Sequence, residues 1–282
     1  MSVLRLASVH YVNALPLTWG FERGAASART TIAREAPARI AERLRTGAAD
    51  VGLIPSIEFQ NLEDARILPQ VCIASRERAR SVYLASRVPL PSIRSVALDA
   101  SSRTSAALLK IILAHKGLNA VTFVEHPPAL EEMLARHDAA LLIGDAALAG
   151  DTAGLRVHDL AAEWRAITGL PFVFAVWAVR AGTILIDGTG PFVASRQAGL
   201  EHVADIAAEA GKRLGLAPAT VEEYLSVNIH YDLGSDEARA LDLFFRQAHE
   251  LGLVPGHRPP IFYGTAGDPA AERPGAPRPE GR

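Results

Sequence analysis

Short apolar runs alternate with helical stretches through the first 180 or so residues of this 282-residue chain, and that rhythm restricts it to an α/β layout. Residues 3–9 read as a strand and 15–21 as a helix entered through Pro16. Residues 37–46 place Ile40 and Leu44 on one face and stop at Gly47, the pattern of an amphipathic helix with a glycine end. Residues 50–55 form a short buried strand, a helical turn opens at Ser56, and 66–73 and 81–86 read as further strands. A second unit repeats the alternation: strands at 95–98, 121–124, 139–143 and 171–179, with helices at 105–115, 129–136 and 159–167. Residues 191–214, 218–229 and 235–251 then show helical spacing without strands of their own.

Two αβ units followed by helices imply two lobes, with the last helices packing back on the first. The expected division is residues 1–87 with 176–263 as one discontinuous lobe and 88–175 as the other, joined by crossings near 87–91 and 171–176. The sheets should be mostly parallel, and a ligand cleft should lie between the lobes at the strand ends. Residues 264–282, rich in Pro, Gly, Ala, Arg and Glu, cannot bury a core and are expected to be a disordered tail.

Composition removes several classes of function. A hydrophobic content of 49% with 21% charged residues fits a packed globular chain. The net charge of −2, with no basic block, gives no footprint for nucleic acid. Cys72, the single cysteine, excludes an intrachain disulfide and a multi-cysteine metal site, and its place in the apolar run 68–74 suits packing. The first residues lack the basic and apolar regions of a signal peptide, and no apolar run approaches the ~20 residues of a membrane span. A cytoplasmic protein with no membrane partner is expected.

The chemistry-bearing residues cluster at strand-to-helix turns. Between the strand at 95–98 and the following helix stand Ser101, Ser102, Thr104 and Ser105, with Arg103 among them. A helix start offers unpaired N–H groups and partial positive charge, so hydroxyls there either cap the helix or turn to a bound anion. Asn13 ends the first strand–helix turn, where it suits either a helix cap or a ligand carboxylate or hydroxyl. Ser81 opens the strand at 81–86, and Gly144-Asp145 closes the strand at 139–143, where capping is the commoner role for Asp145. The nine histidines form no metal-binding pair, Gly188-Thr-Gly190 lacks the third glycine of a dinucleotide turn, and neither a nucleophile elbow nor a phosphate loop is present. No metal and no cofactor are expected. The candidate site offers hydroxyls, an amide and helix N-termini, a set that binds small carboxylates and suits an enzyme that positions a reactive substrate.

Taken together, Tyr11-Val-Asn13-Ala-Leu-Pro-Leu17, Asp50-Val-Gly-Leu-Ile-Pro-Ser56, Ser81-Val82, Asp99-Ala-Ser-Ser-Arg-Thr-Ser105, Leu142-Ile-Gly-Asp-Ala-Ala147 and Trp164-Arg-Ala-Ile-Thr-Gly-Leu-Pro-Phe-Val-Phe-Ala175 resemble the chorismate dehydratase family of the futalosine route to menaquinone. The resemblance runs from about Leu4 to about Pro255 and rests on the order and spacing of these motifs. It implies a type II periplasmic-binding-protein-like fold and conversion of chorismate, a dicarboxylate, to 3-(1-carboxyvinyloxy)benzoate with loss of water. It ties the asparagine matching Asn13 to catalysis and allows the substrate's own enolpyruvyl carboxylate to act as base. Ser81, Ser101, Ser102, Thr104, Ser105, Gly144 and Asp145 are the expected substrate-binding positions, Asp145 being the lesser candidate. The sister family, 1,4-dihydroxy-6-naphthoate synthase, carries a catalytic histidine where this chain has Gly144, which counts against it. A solute-binding protein would need export or a lipid anchor, and a ligand-sensing regulator would need a DNA-binding unit; the sequence offers neither.

Overall fold

A computed structural model describes residues 3–24 and 27–264 of the chain. The tail expected at 264–282 therefore lies, apart from Gly264, outside the described residues.

The first sheet is built from β1 (Leu4–Ser8), β2 (Thr30–Arg34), β3 (Val51–Pro55), β4 (Arg66–Ser75) and β10 (Phe172–Val179), in the order β2-β1-β3-β10-β4. The second holds β5 (Val82–Ser86), β6 (Ser95–Asp99), β7 (Thr122–His126), β8 (Ala139–Ile143) and β9 (Arg156–Asp159), in the order β7-β6-β8-β5-β9. On the first sheet pack α1 (Leu15–Arg23), α2 (Pro37–Thr46), α7 (Gly190–Glu201) and α10 (Ser235–Glu250); α8 (Val203–Leu214) and α9 (Pro218–Glu223) extend this lobe. The second sheet is associated with α3 (Thr104–His115), α4 (Leu130–Arg136), α5 (Gly144–Leu148) and α6 (Leu160–Thr168). No helix of the described residues is long and apolar enough to cross a membrane.

The strand pairing departs from the expected lobe boundary at two places. β5 joins the second sheet, antiparallel to β8 and β9, and β10 lies wholly in the first, antiparallel to β3 and β4. The chain therefore crosses between lobes at 76–81 and 169–171, earlier than residues 87 and 175. An apolar run shows that a strand is buried, as all five residues of β5 are, but not which sheet completes its ladder. Both sheets are consequently mixed, because the strand next to each crossing runs back against its neighbours. β2 and β9, at sheet edges and only partly buried, lack the apolar runs that reveal the other strands.

Both crossings are tied down. The Asp159 carboxylate accepts from Ala79 N (3.1 Å) and Arg80 N (2.7 Å) in the first crossing, and from Ala161 N (3.0 Å) and Ala162 N (3.2 Å) at the start of α6. One buried anion thus serves as helix cap and hinge anchor, and it holds Arg80 in the left-handed region at φ 62°. At the second crossing, Trp164 Nε1 donates to Pro171 O at 3.0 Å. Trp164 of α6 and Phe244 of α10 both pack edge-on to Phe172, at 5.4 and 5.0 Å between centroids, joining the lobes behind the hinge.

α1 is placed by α7. Ser195 Oγ donates to Leu17 O (2.9 Å) and accepts from Gly20 N (3.0 Å), and a Cβ at Gly199 would collide with the Pro16 backbone. This contact, closer than a side chain at Gly199 allows, fixes α1 and the turn that carries Asn13.

Candidate active site

Asn13 lies in the 3₁₀ turn Val12–Ala14 between β1 and α1. Its side chain caps neither the turn nor the helix. Instead Nδ2 donates to Tyr224 Oη at 3.1 Å, while Oδ1 is buried without a hydrogen-bond partner. Ser81, 1% exposed at the end of the first crossing, puts Oγ 2.7 Å from the same phenol. Tyr224 itself is fully buried at the point where α9 widens into a π-helical turn, Tyr224–Asn228, an irregularity common at functional sites.

Across the cleft, α3 begins without a side-chain cap, and the hydroxyls of Ser101 and Thr104 bond elsewhere. Thr104 Oγ1 accepts from Ile57 N (3.2 Å) and approaches Ser56 Oγ (3.4 Å), and Ser56 Oγ donates to Val173 O (2.8 Å). Ser101 Oγ donates to Asp99 Oδ1 (2.6 Å) and accepts from Tyr11 Oη (2.9 Å). Tyr11 and Ile57 belong to the first lobe, Ser101 and Thr104 to the second, so both bonds hold the cleft shut.

Asn13, Ser81, Ser101, Thr104, Ser105 and Gly144 line one cavity of about 70 Å³ between the lobes. Of the expected site residues, Ser102 and Asp145 do not line it. Ser102 Oγ is buried without a partner away from the cavity. Asp145 caps nothing in α5; it accepts from Val12 N (2.9 Å) and pairs with Arg213 (2.8 Å), a tether between the lobes. Gly144 has φ +58°, and a Cβ there would stand 2.9 Å from the Tyr11 ring, so the ring fills the space a side chain would need. Arg103 also lines the cavity and is its cationic residue.

Sequence reasoning missed Tyr224 as a site residue. It lies within a stretch that reads as plain helix, and its hydroxyl reaches the site across more than two hundred positions from Asn13. Burial pushes its phenol well above the usual tyrosine value, against the opposing pull of its bonds with Ser81 and Asn13. Burial likewise raises Tyr11; its bond to Ser101 opposes this, and the carboxylates of Asp99 and Asp145 add to it. Both phenols are therefore neutral donors near pH 7.

No Asp, Glu, His, Lys or Cys lines the cavity among the described residues. What remains is a positioning site: neutral hydroxyls, one unpartnered amide carbonyl, an arginine and an uncapped helix start whose N–H groups favour an anion. Its small volume is below the ~300–1,000 Å³ of ordinary ligand pockets, and the bonds Tyr11–Ser101 and Ile57–Thr104 join the lobes across it.

This architecture is that of the two-lobe periplasmic-binding-protein-like fold. The chain superposes with a TM-score of 0.72 on a protein of Archaeoglobus fulgidus (17% identical, covering 89% of this chain and 98% of that one). It superposes at 0.68 on the alkanesulfonate-binding protein of Xanthomonas axonopodis pv. citri bound to MOPS (18% identical, 92% and 96%). Within that class, residues 4–250 match the family model described as menaquinone biosynthesis. Chorismate dehydratase of Thermus thermophilus is 32% identical over 249 residues, covering 80% of this chain and 88% of that protein. The chain belongs to the menaquinone biosynthesis family.

Proposed function

We propose that this protein is a chorismate dehydratase, a carbon–oxygen lyase that converts chorismate to 3-(1-carboxyvinyloxy)benzoate and water. The observation that carries the reading is the buried, unpartnered Asn13 carbonyl beside Ser81 in a cavity without an acid or base side chain. The dehydratase relative supports it.

Chorismate brings two carboxylates and one hydroxyl. The start of α3, Arg103 and the hydroxyls of Ser81 and Ser105 receive the carboxylates, and Asn13 meets the reacting edge of the ring. The reaction breaks C3–H and C4–O. The C–H electron pair becomes the C3–C4 π bond that completes the aromatic ring, and the proton and hydroxide leave as water. The ring carboxylate acidifies C3–H through the ring alkene, so negative charge spreads over a conjugated anion that fixed neutral donors stabilise. With the substrate's enolpyruvyl carboxylate as base, the protein needs no base of its own, and its task is to hold that carboxylate over C3.

The test is incubation with chorismate and identification of the product by mass spectrometry and by loss of the diene absorbance. Appearance of an aromatic dicarboxylate one water lighter than chorismate supports the reading. Saturable binding of chorismate without chemical change refutes it and makes the protein a carboxylate binder.

A further inference from the structure

We infer that Tyr224 is a positioning residue that sets the hydrogen-bond polarity of the site: it turns Asn13 into an acceptor and Ser81 into a donor toward the substrate. The inference rests on the dehydratase reading and extends it to a residue that does not line the cavity.

Asn13 Nδ2 donates to Tyr224 Oη, so the phenol oxygen is already an acceptor on that side and its own proton must go elsewhere. Ser81 Oγ, 2.7 Å away, is its acceptor among the described residues. Ser81 Oγ makes no second hydrogen bond to the described residues, so its proton is free for the cavity. On the other arm, using Nδ2 to reach Tyr224 leaves Asn13 Oδ1 buried and unpartnered. A buried carbonyl without a donor is costly, and the closed cleft leaves it for a substrate donor to satisfy.

Chorismate matches this polarity in one way. Near neutral pH both its carboxylates are ionised and only accept, so its single donor is the C4 hydroxyl. Asn13 Oδ1 can therefore pair only with that hydroxyl, which places the leaving oxygen at Asn13. The Ser81 proton goes to a carboxylate oxygen. The raised phenol of Tyr224 keeps its proton over the working pH range, so the polarity does not reverse.

The experiment compares wild type, Tyr224→Phe, Asn13→Ala and the double variant in steady-state turnover of chorismate. Binding of isophthalate, a dicarboxylate without a hydroxyl, is measured in parallel. Phe keeps the ring packing and removes only the bridging oxygen. The expected result is a fall in kcat of ~10- to 100-fold with KM changed by less than about three-fold, and isophthalate affinity within about three-fold of wild type. Added to Asn13→Ala, Tyr224→Phe should cost less than about two-fold further, because it acts through Asn13. Turnover of Tyr224→Phe within two-fold of wild type, or an equal loss in both backgrounds, overturns the inference. Should Tyr224→Phe fail to fold, Ser81→Ala carries the test. It strips the donor arm alone and should weaken isophthalate binding, whereas unchanged binding overturns the assigned donor. Wild-type protein that leaves chorismate intact refutes the dehydratase reading instead, so the two failures are distinguishable.

Discussion

Two cavities of this molecule differ in size and in how their walls are built, and the smaller one is the candidate active site. A hollow of about 930 Å³ lies within the first lobe, along α1, α7 and residues 183–188, whereas the cleft cavity measures about 70 Å³. Both are lined mainly by apolar surface; at the rim of the large hollow Ile184 and Ile186 are 64% and 75% exposed. The charge on its margin is met locally: Asp50 takes Arg5 at 2.7 Å and lies 3.7 Å from Arg180. Among the described residues all of its walls belong to one lobe, so closing the two lobes on each other would not cover a molecule bound there. The cleft cavity takes its walls from both lobes, and the bonds Tyr11–Ser101, Ile57–Thr104 and Val12–Asp145 shut it. Closure gathers the Asn13 amide, Ser81 and the start of α3 around one space, and that arrangement, rather than volume, marks the cleft as the candidate site.

Removing the orphaned Asn13 amide has the largest expected effect. Asn13→Ala should lower kcat on the order of 10²–10³-fold, the loss typical of removing one fixed polar group at a reacting centre. Thermal unfolding should stay close to wild type, since the lost fold contact is one bond to Tyr224. Dehydration at a near-normal rate would show that the cleft does not carry the reaction.

Gly144→Ala should follow in size. The new methyl would meet the Tyr11 ring at 2.9 Å, and φ +58° costs a side-chain-bearing residue ~1–2 kcal/mol. The expected outcome is a fall in melting temperature of ~2–4 °C per kcal/mol, together with a raised KM as Tyr11 is pushed from Ser101. Calorimetry and initial rates read the two effects separately.

Thr104→Val tests closure directly. It keeps the shape and leaves Ile57 N–H without its acceptor, but only when the lobes are shut. A buried donor left unpaired costs ~1–3 kcal/mol, which shifts the balance toward the open form by roughly 5- to 150-fold. The radius of gyration in solution scattering should increase and KM should rise. An unchanged radius would mean that this bond does not hold the cleft.

Much of this comparison is already legible in the chain, and the exceptions have physical causes. α2 runs over the ten residues its apolar spacing marks and ends at Gly47 in the left-handed conformation, because a C-terminal glycine is a local signal. β8 likewise keeps its expected bounds. Local signals fail where an element's role depends on its partner. β5 is an apolar run in either lobe, and only its ladder with β8 assigns it to the second. Asp145 looks like a helix cap because a carboxylate at a strand end usually is one, yet Val12 N and Arg213 of the other lobe claim it. The hydroxyls at 101–105 are equally ambiguous: α3 has no side-chain cap, and those of Ser101 and Thr104 bond to Asp99, Tyr11 and Ile57. Tyr224 was out of reach altogether, since a tyrosine in a helical stretch reads as core until the fold brings Asn13 and Ser81 to its hydroxyl.

A smaller effect concerns pH. Burial raises the phenols of Tyr224 and Tyr11, so each keeps its proton above the usual tyrosine value. The alkaline side of the kcat profile should therefore show no loss attributable to phenolate up to about pH 10, the ordinary tyrosine value. A fall centred near pH 9 that vanishes in Tyr224→Phe would show that the phenol ionises earlier than its burial allows.

The smallest expected effect is the one that tests the large hollow. Ile186→Ser replaces a side chain 75% exposed on its rim, where little apolar surface is withdrawn from water. Stability should move by no more than about 0.5 kcal/mol, and chorismate turnover should stay within two-fold of wild type. The result matters because the hollow exceeds the cleft cavity more than ten-fold and would be chosen first on volume alone. A rim substitution that abolished turnover while Asn13→Ala left it intact would move the chemistry to the first lobe and reverse the comparison. Turnover unchanged by Ile186→Ser and lost in Asn13→Ala would place the chemistry where two lobes close on an unpartnered amide.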